Sequence, residues 1–396
     1  MKLKVVIFLT ILTSFCRADE FFISGSVDKT LRYWRISDGN CLRILDHPSF
    51  VSQTVFTTNN EYILTGTTAP EQALRLWNIR TGELLYTFFG HLSCINCIAV
   101  TKNIKYAYTA SGDKRIGYWD IENRTLLKMI KAHEKGIMSI CLSRDETRLL
   151  SSSGDLDQSI IKIWKVPEFM CLKVISGHKS NVSSVSFMPD QEHIITSSWD
   201  KTMKLWRISD GQCIRTFTGH TDRINKAEIS PAGDYVISAS SDCTLKMWNI
   251  EDGTVIRTFT GHEGSVSSLS ISSDGSYFAS ASYDGTIKYW NINNDRSIRT
   301  FWGHSREIND VDMDIGNTSF ETQYKTDIKP IGLKIFPNPF SDVLNINSDG
   351  EKKVFDITGK LFAELGKGNR KLNTSSWKKG LYFIKTCNSS FRAVKL

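Results

Sequence analysis

The sequence predicts an all-β chain: seven four-stranded sheets set around a central axis, followed by a small β-sandwich. Three observations predict it. Seven tryptophans recur (Trp34, Trp77, Trp119, Trp164, Trp206, Trp248 and Trp290) at intervals of 43, 42, 45, 42, 42 and 42 residues. Seven histidines keep step with them: His47, His91, His133, His178, His220, His262 and His304 follow the tryptophans by 14 residues, or by 13 in the first case. Between these marks the chain reads as short strands and turns, with no helical period of useful length. Stacking four-stranded sheets around an axis buries both faces of each and leaves only short, protected edges, which is the logic of a β-propeller.

The N-terminus stands outside this pattern. In "MKLKVVIFLTILTSFCRAD" Lys2 and Lys4 precede an apolar run from Val5 to Phe15, then small and polar residues. This is the form of a secretory signal peptide over residues 1–18, too short to span a bilayer, with cleavage after Ala18. A lipoprotein reading of Cys16 is disfavoured by bulky Phe15 where a small residue is needed.

One unit shows the strand pattern. After His220, "INKAEISP" alternates, "YVISASS" is β-rich, "TLKMWNI" alternates and "VIRTFTG" closes, with turns such as "SPAGD" and "DG" between. The spacing supports a polar chain of Trp, Ser, His and Asp in most units. The expected sets are His91, Ser111, Asp113 and Trp119; His178, Ser198, Asp200 and Trp206; His220, Ser240, Asp242 and Trp248; and His262, Ser282, Asp284 and Trp290. The indole would donate to the hydroxyl, the hydroxyl to one imidazole nitrogen, and the other imidazole N–H to the carboxylate, so every buried polar group is satisfied. Two units depart, with Glu71 and Gln158 at the Asp position and longer turns, and they are expected to be looser or specialised.

The first and last units are incomplete in complementary ways. "FFISGS", "TLRYWRI" and "CLRIL" supply a second, third and fourth strand without a first, while "EINDVDM" after His304 is a first strand with nothing after it. The expected solution is that strand 306–313 pairs with 20–26 and closes the ring, which removes the open edges of a linear array. The fifth polar set is then His304 with Ser26, Asp28 and Trp34. Asp310, Asp312, Asp314 and Glu321 also have EF-hand spacing, but Ile315 stands where that loop needs glycine. The strand reading is preferred.

Residues 316–330 are polar and patternless, a linker; residues 331–396 hold about seven short strands, enough for a small sandwich. The net charge of +7 is unevenly spread. The leader holds three basic residues, and the tail has twelve basic against five acidic, leaving 7 − 3 − 7 = −3 for residues 19–330. A mildly acidic main domain argues against nucleic-acid binding. Cys41, Cys171 and Cys213 occupy equivalent repeat positions and read as small buried apolar residues; Cys94 and Cys97 have no second pair for a metal.

"GHTDRINKAEISPAGDYVISASSDCTLKMWNI", with Gly219, His220, Asp242 and Trp248, resembles a WD repeat. The likeness covers about 19–315 and implies a seven-bladed propeller that binds other molecules. The tail resembles the C-terminal sorting domain of the type IX secretion system, on Pro337, Asn338 and Pro339, Thr358-Gly359-Lys360, Gly380 with Tyr382, and the basic-apolar end at Lys395. That resemblance implies a Bacteroidota-type bacterium, Sec export, passage through the type IX machinery, and release or attachment at the cell surface.

Function follows from what the repeat leaves over. Seven of the eight His belong to the repeat, and neither a phosphate loop nor a nucleophile elbow appears. No enzyme activity, cofactor or metal is expected, and no transmembrane span once the signal is removed. The alternative, a secreted enzyme, needs an acidic cluster at the channel mouth. Trp199 and Tyr283 precede their turn aspartates, and Arg223 and Arg306 follow their histidines, so all four are expected on one face. An aromatic and arginine set suits a protein contact. The expectation is a monomeric propeller that binds protein or glycan through this top face.

Overall fold

The computed structural model describes residues 21–57, 59–154 and 159–313, and the backbone of seven strands between residues 334 and 395. The chain divides into two units, on either side of residue 318. Among the described residues all regular structure is β, and no helix is long and apolar enough to cross a membrane.

The first unit is seven antiparallel four-stranded sheets. Blade 1 takes Ile308–Met313 as its inner strand and Phe21–Ser26, Thr30–Arg35 and Cys41–Asp46 as the rest. Blades 2 to 7 start at Val51, Ile95, Ile137, Val182, Ile224 and Val266, and each runs through four consecutive strands. The closing pair is in register with Phe22 opposite Met313 and Ser24 opposite Val311, with a bulge at Gly25/Ser26. The expected closure therefore forms, starting two residues later than the sequence pattern placed it.

Each blade is a hydrophobic layer for its neighbour. Ile308, Val311 and Met313 of the closing strand pack with Phe22, Trp34, Ala279 and Phe301, so this core spans blades 7 and 1. Fully covering such side chains contributes roughly 1.5–3 kcal/mol each. Equivalent clusters fill the other seams.

Polar contacts stitch the same seams near the axis. The inner strand of each blade has a free edge, whose N–H and C=O groups need partners. The second residue of the inner strand donates to the first carbonyl of the next blade in six cases: Asn309 to Val51, Ser52 to Ile95, Asn96 to Ile137, Ser183 to Ile224, Asn225 to Val266 and Ser267 to Ile308, at 2.6–2.8 Å. Met138 breaks the series in blade 4, and the Ser152 hydroxyl reaches the Val182 carbonyl instead, at 3.0 Å. The third and fifth positions accept N–H groups from the next blade, as Ser184 does from Ala227 and Asp312 from Phe56.

A second set of clamps works at the outer strands. Arg43, Lys128, Lys173, Arg215 and Arg299 each donate to a carbonyl in the turn joining the third and fourth strands of the following blade. Gly253 shows why that turn carries glycine: its φ is +81°, and an added Cβ would lie 2.9 Å from Arg215 Cδ. The repeated basic residue in "CIRTF" and "VIRTF" thus serves ring assembly.

The second unit holds a three-stranded sheet (Lys334–Pro337, Val343–Asn347, Arg370–Asn373) and a four-stranded one (Leu361–Leu365, Lys352–Asp356, Leu381–Thr386, Phe391–Lys395), all antiparallel. Seven strands match the number the tail's pattern suggests. Pro337 ends the first of them, Tyr382 lies in the sixth and Lys395 ends the seventh. Asn338, Pro339 and Gly380, the stacking of the two sheets, the leader over 1–18 and the linker lie outside the described residues.

One expectation changes and one is met. Cys171 and Cys213 are exposed and Cys41 is half-covered, because they lie at the start of the outermost strand, one face of which meets solvent. The stretch with EF-hand spacing is strand through Met313, while Asp314 and Glu321 fall outside the described residues.

Candidate functional site

The loops bearing the Gly-His pairs and the aspartate turns meet on one face, which the polar chains hold together. Trp119 Nε1 donates to Thr109 Oγ1 at 2.7 Å, the Thr109 hydroxyl meets His91 Nε2 at 2.7 Å, and His91 Nδ1 meets Asp113 Oδ2 at 2.8 Å. The neutral imidazole with its proton on Nδ1 satisfies all three contacts. The same carboxylate accepts the Leu92 N–H, which ties the loop after the histidine to the turn. Gly219 shows what the glycine before the histidine does: at φ +152° it leaves room for the Trp248 ring, 3.2 Å from where a Cβ would sit.

The hydroxyl differs from expectation in every set. It comes from Thr109, Thr196, Ser238, Ser280 and Ser24, two residues before Ser111, Ser198, Ser240, Ser282 and Ser26. The reason is register. Trp119 lies opposite Ala107, so the indole reaches its diagonal neighbour at 109, whereas 111 is a further two residues along the strand. Ser111 instead donates to the Ser93 carbonyl at 3.0 Å and accepts the Asp113 N–H at 3.1 Å, bracing the turn. Ser198, Ser240, Ser282 and Ser26 do the same. The closing set is Trp34, Ser24, His304 and Asp28, with His304 Nδ1 at 2.8 Å from Asp28 Oδ2.

The two departing blades keep the first three members. Thr65 joins Trp77 to His47, whose Nδ1 meets the Leu45 carbonyl, while Glu71 pairs with Arg75. Ser151 joins Trp164 to His133, whose Nδ1 meets the Ser153 hydroxyl; Gln158 lies outside the described residues. Without a carboxylate to offset burial, His47 is pushed down to about 4 and His133 to about 3. In the complete sets the aspartates are lowered for a different reason: burial works to raise Asp28, Asp200, Asp242 and Asp284, but hydrogen bonds from histidine and threonine hold them well below the usual range.

The four expected partner-binding residues fall into two places. The Arg223 guanidinium carbon lies 4.8 Å from the Trp199 ring centroid, so blades 5 and 6 present one stacked pair. Tyr283 is 53% exposed and lines an open depression with Arg306 at the junction of blades 7 and 1. Arg306 also lies 5.7 Å from the Phe50 ring, an aromatic that the repeat pattern did not mark. Beside the Gly-His pairs, Phe89, Leu92 and Trp302 are 63–73% exposed. They were legible as bulky apolar residues flanking a Gly-His pair, at positions where other repeats carry polar residues such as Ser176, Thr218, Thr221 or Thr260.

The axis carries a charge cluster that sequence reasoning missed. Lys226 Nζ is 3.3 Å from Asp310 Oδ1, and Asp310, nearly buried, also accepts from Gln53, Ser268, the Thr54 N–H and the Thr54 hydroxyl. Asp312 accepts the Phe56 N–H at 2.8 Å, and Glu228 the Ile271 N–H at 3.1 Å. Burial pushes Glu228 up to about 7 and Asp312 up to about 6. Burial alone would lower Lys226, but the carboxylates of Asp310, Glu228 and Asp312 hold it well above its ordinary value. The available signal was the odd charge at inner-strand positions where the other blades carry uncharged residues such as Ser139, Ser184, Cys97 or Val55. Among the described residues no group of three or more His, Cys, Asp or Glu stands together as a metal site.

A pH dependence follows. The raised value makes the folded state hold the Glu228 proton more tightly than the unfolded chain. Its contribution is therefore present below the ordinary value of 4.5 and lost as pH rises through about 7. Glu228→Gln is expected to be more stable than the parent at pH 8, by on the order of 1 kcal/mol, with the difference gone near pH 4.5. Urea unfolding at both pH values measures it; a variant less stable than the parent at pH 8 and equal to it near pH 4.5 would show that the charge is net favourable.

A ring of seven blades, closed by its two ends, makes the first unit a seven-bladed β-propeller. Five stretches, residues 82–120, 124–165, 169–207, 211–249 and 253–291, match the WD domain, G-beta repeat, and the chain belongs to that family. Residues 334–395 match the secretion system C-terminal sorting domain, the type IX tail that directs export to the cell surface or beyond it. Among curated proteins the chain is similar to nuclear distribution protein PAC1 of Coccidioides posadasii, 28% identical over 33% of this chain and 32% of that protein. It is also similar to the target of rapamycin complex subunit LST8 of Saccharomyces cerevisiae, 25% identical over 33% of this chain and 42% of that protein. A WD repeat domain-containing protein 83 homolog of Dictyostelium discoideum is 25% identical over 32% and 37%. The chain thus spans well under half the length of the curated relatives it matches.

Proposed function

We propose that this chain is an exported, non-catalytic binding protein that takes a protein or glycan partner on the top face of its propeller. It carries an N-terminal Sec signal and its type IX tail delivers it to the surface of a Bacteroidota-type cell. The observation that carries the reading is the top face itself. It presents the Arg223–Trp199 stack and the exposed Tyr283 with Arg306, above turns fixed by the polar chains. Aromatic and arginine side chains on rigid turns lose little entropy on binding and dominate contact energetics. Similarity to a protein named as a complex subunit supports the same class of role.

The non-catalytic part rests on chemistry already committed. The repeat histidines use both ring nitrogens within the fold. The axial carboxylates that an enzyme reading needs accept backbone amides and serine hydroxyls across the seams. Capture from cells and medium with the full chain as bait tests the reading. Trp199→Ala/Tyr283→Ala is expected to retain the thermal midpoint and to lose partner recovery by at least about tenfold. Undiminished recovery by the double variant would count against it.

A further inference from the structure

The outer groove between blades 2 and 3 departs from the repeat. Two residues before the tryptophan, six blades carry a cation (Arg32, Arg75, Lys162, Lys204, Lys246 or Lys288), and blade 3 carries Gly117. Arg32, Lys162 and Lys204 lie over their own indole rings, at 5.4–6.0 Å. In blade 3 an added Cβ would stand 2.6 Å from Trp119 Nε1 and 2.7 Å from Thr109 Oγ1, so a side chain there would displace the polar chain. Apolar groups take the cation's place. The loop at Gly90 crosses Trp119, and a Cβ on that glycine would lie 3.5 Å from both Leu126 Cδ2 and Met129 Cε. Around this turn Phe89, Leu92 and Leu126 are 63%, 72% and 41% exposed. Three such residues meeting at one turn form a patch rather than a scatter. The loop between blades 5 and 6 carries Thr218 and Thr221 at the Phe89 and Leu92 positions.

Cations stand at both ends of this apolar floor. Arg115 lies opposite Lys131 and Gly117 opposite Met129, so Arg115 and Lys131 share the face of Met129 at the upper end. At the lower end the Arg124 guanidinium carbon is 5.4 Å from the Tyr86 ring of blade 2. Between them the outer strand Thr125–Lys131 runs seven residues, about 20 Å. Arg115, Arg124 and Lys131 are exposed, and the Lys131–Glu134 pair is a weak surface contact. Residues 114–135 hold six basic against three acidic residues, in a ring that is acidic as a whole. A linear chain can follow this groove down the side of the blade and meet both ends, which a flat bilayer surface cannot. The charge at the ends asks for carboxylates, and the floor between them for an apolar side chain.

We infer that the groove between blades 2 and 3 receives an acidic segment of a second protein, anchored by an apolar side chain between Phe89 and Leu126. This surface is separate from the top-face anchors Trp199 and Tyr283 and stands without them.

The test is selection of phage-displayed random dodecapeptides on the immobilised full chain, followed by titration of the enriched peptides. These are expected to carry an apolar residue flanked by Asp or Glu, and replacing either kind by Ala weakens binding about tenfold. Phe89→Thr/Leu92→Thr writes in the residues of the loop between blades 5 and 6, so the thermal midpoint is expected to stay while affinity falls at least about tenfold. Arg115→Gln/Arg124→Gln is expected to lose a similar factor and to flatten the dependence on salt. Trp199→Ala/Tyr283→Ala is expected to bind the same peptides unchanged. Failure to enrich any peptide, enrichment without acidic residues, or undiminished binding to either groove variant overturns the inference. Vesicles of phosphatidylcholine and phosphatidylglycerol that bind the parent but not Phe89→Thr/Leu92→Thr would assign the surface to lipid and overturn it as well. Peptides lost only in Trp199→Ala/Tyr283→Ala would support the top-face reading and remove this one.

Discussion

Deleting residues 304–396 is expected to abolish cooperative folding of the propeller, whereas deleting 319–396 leaves it folded. The first deletion removes the inner strand of blade 1. Ile308, Val311 and Met313 are almost wholly buried, and burying three such side chains contributes roughly 5–9 kcal/mol. That is comparable with the entire stability of a typical domain, about 5–15 kcal/mol. The same cut removes His304 from the Trp34–Ser24–Asp28 chain and both axial seams that blade 1 shares with its neighbours. Hydrogen exchange at Phe22–Ser26 together with the thermal transition measures it. Full protection of those amides in the shorter chain would show that the closing strand is dispensable.

Asp310→Ala is expected to destabilise the ring by about 3–5 kcal/mol, the largest single-site effect at the axis. Asp310, in blade 1, is 3% exposed and gathers donors from three other blades: Gln53 and Thr54 of blade 2, Ser268 of blade 7 and Lys226 of blade 6. Its removal leaves a half-buried ammonium and several N–H and O–H groups without partners. Asp310→Asn keeps an acceptor but loses the charge that holds Lys226, so its cost is expected to fall between. Urea unfolding orders the three chains. An alanine variant within about 1 kcal/mol of the parent would mean that water replaces the carboxylate, and that the axis is more open than its hydrogen bonds imply.

The ring, its blade count and its closure were legible because they depend on period and on strand alternation. Trp34 with no preceding inner strand, and His304 with nothing after its own, point to each other without any structural knowledge. The polar chains were legible in type and wrong in one member. Spacing says that a hydroxyl precedes the tryptophan, but Thr109 and Ser111 both qualify, and only the pairing of Trp119 with Ala107 chooses between them. The axial cluster was harder to read, because Lys226 and Glu228 lie 82–86 residues from Asp310 and Asp312 and meet them only across the closed ring. The outer clamp was hidden differently: a basic residue on an exposed strand looks solvated until the neighbouring blade's turn is placed against it. Of the top-face set, Trp199 and Arg223 are brought together, and Tyr283 and Arg306 share a depression.

The central claim is that a closed propeller presents its Gly-His and aspartate-turn face to a partner. Hydrogen exchange of the full chain, free and bound to its captured partner, tests it most directly. Protection is expected in the loops around residues 199–201, 221–223, 283–285 and 304–307, and little change in the outer strands. Protection confined to outer strands such as Met170–Ser176, where Met170, Leu172 and Val174 are 47–55% exposed, would contradict the account and move the binding surface to the circumference.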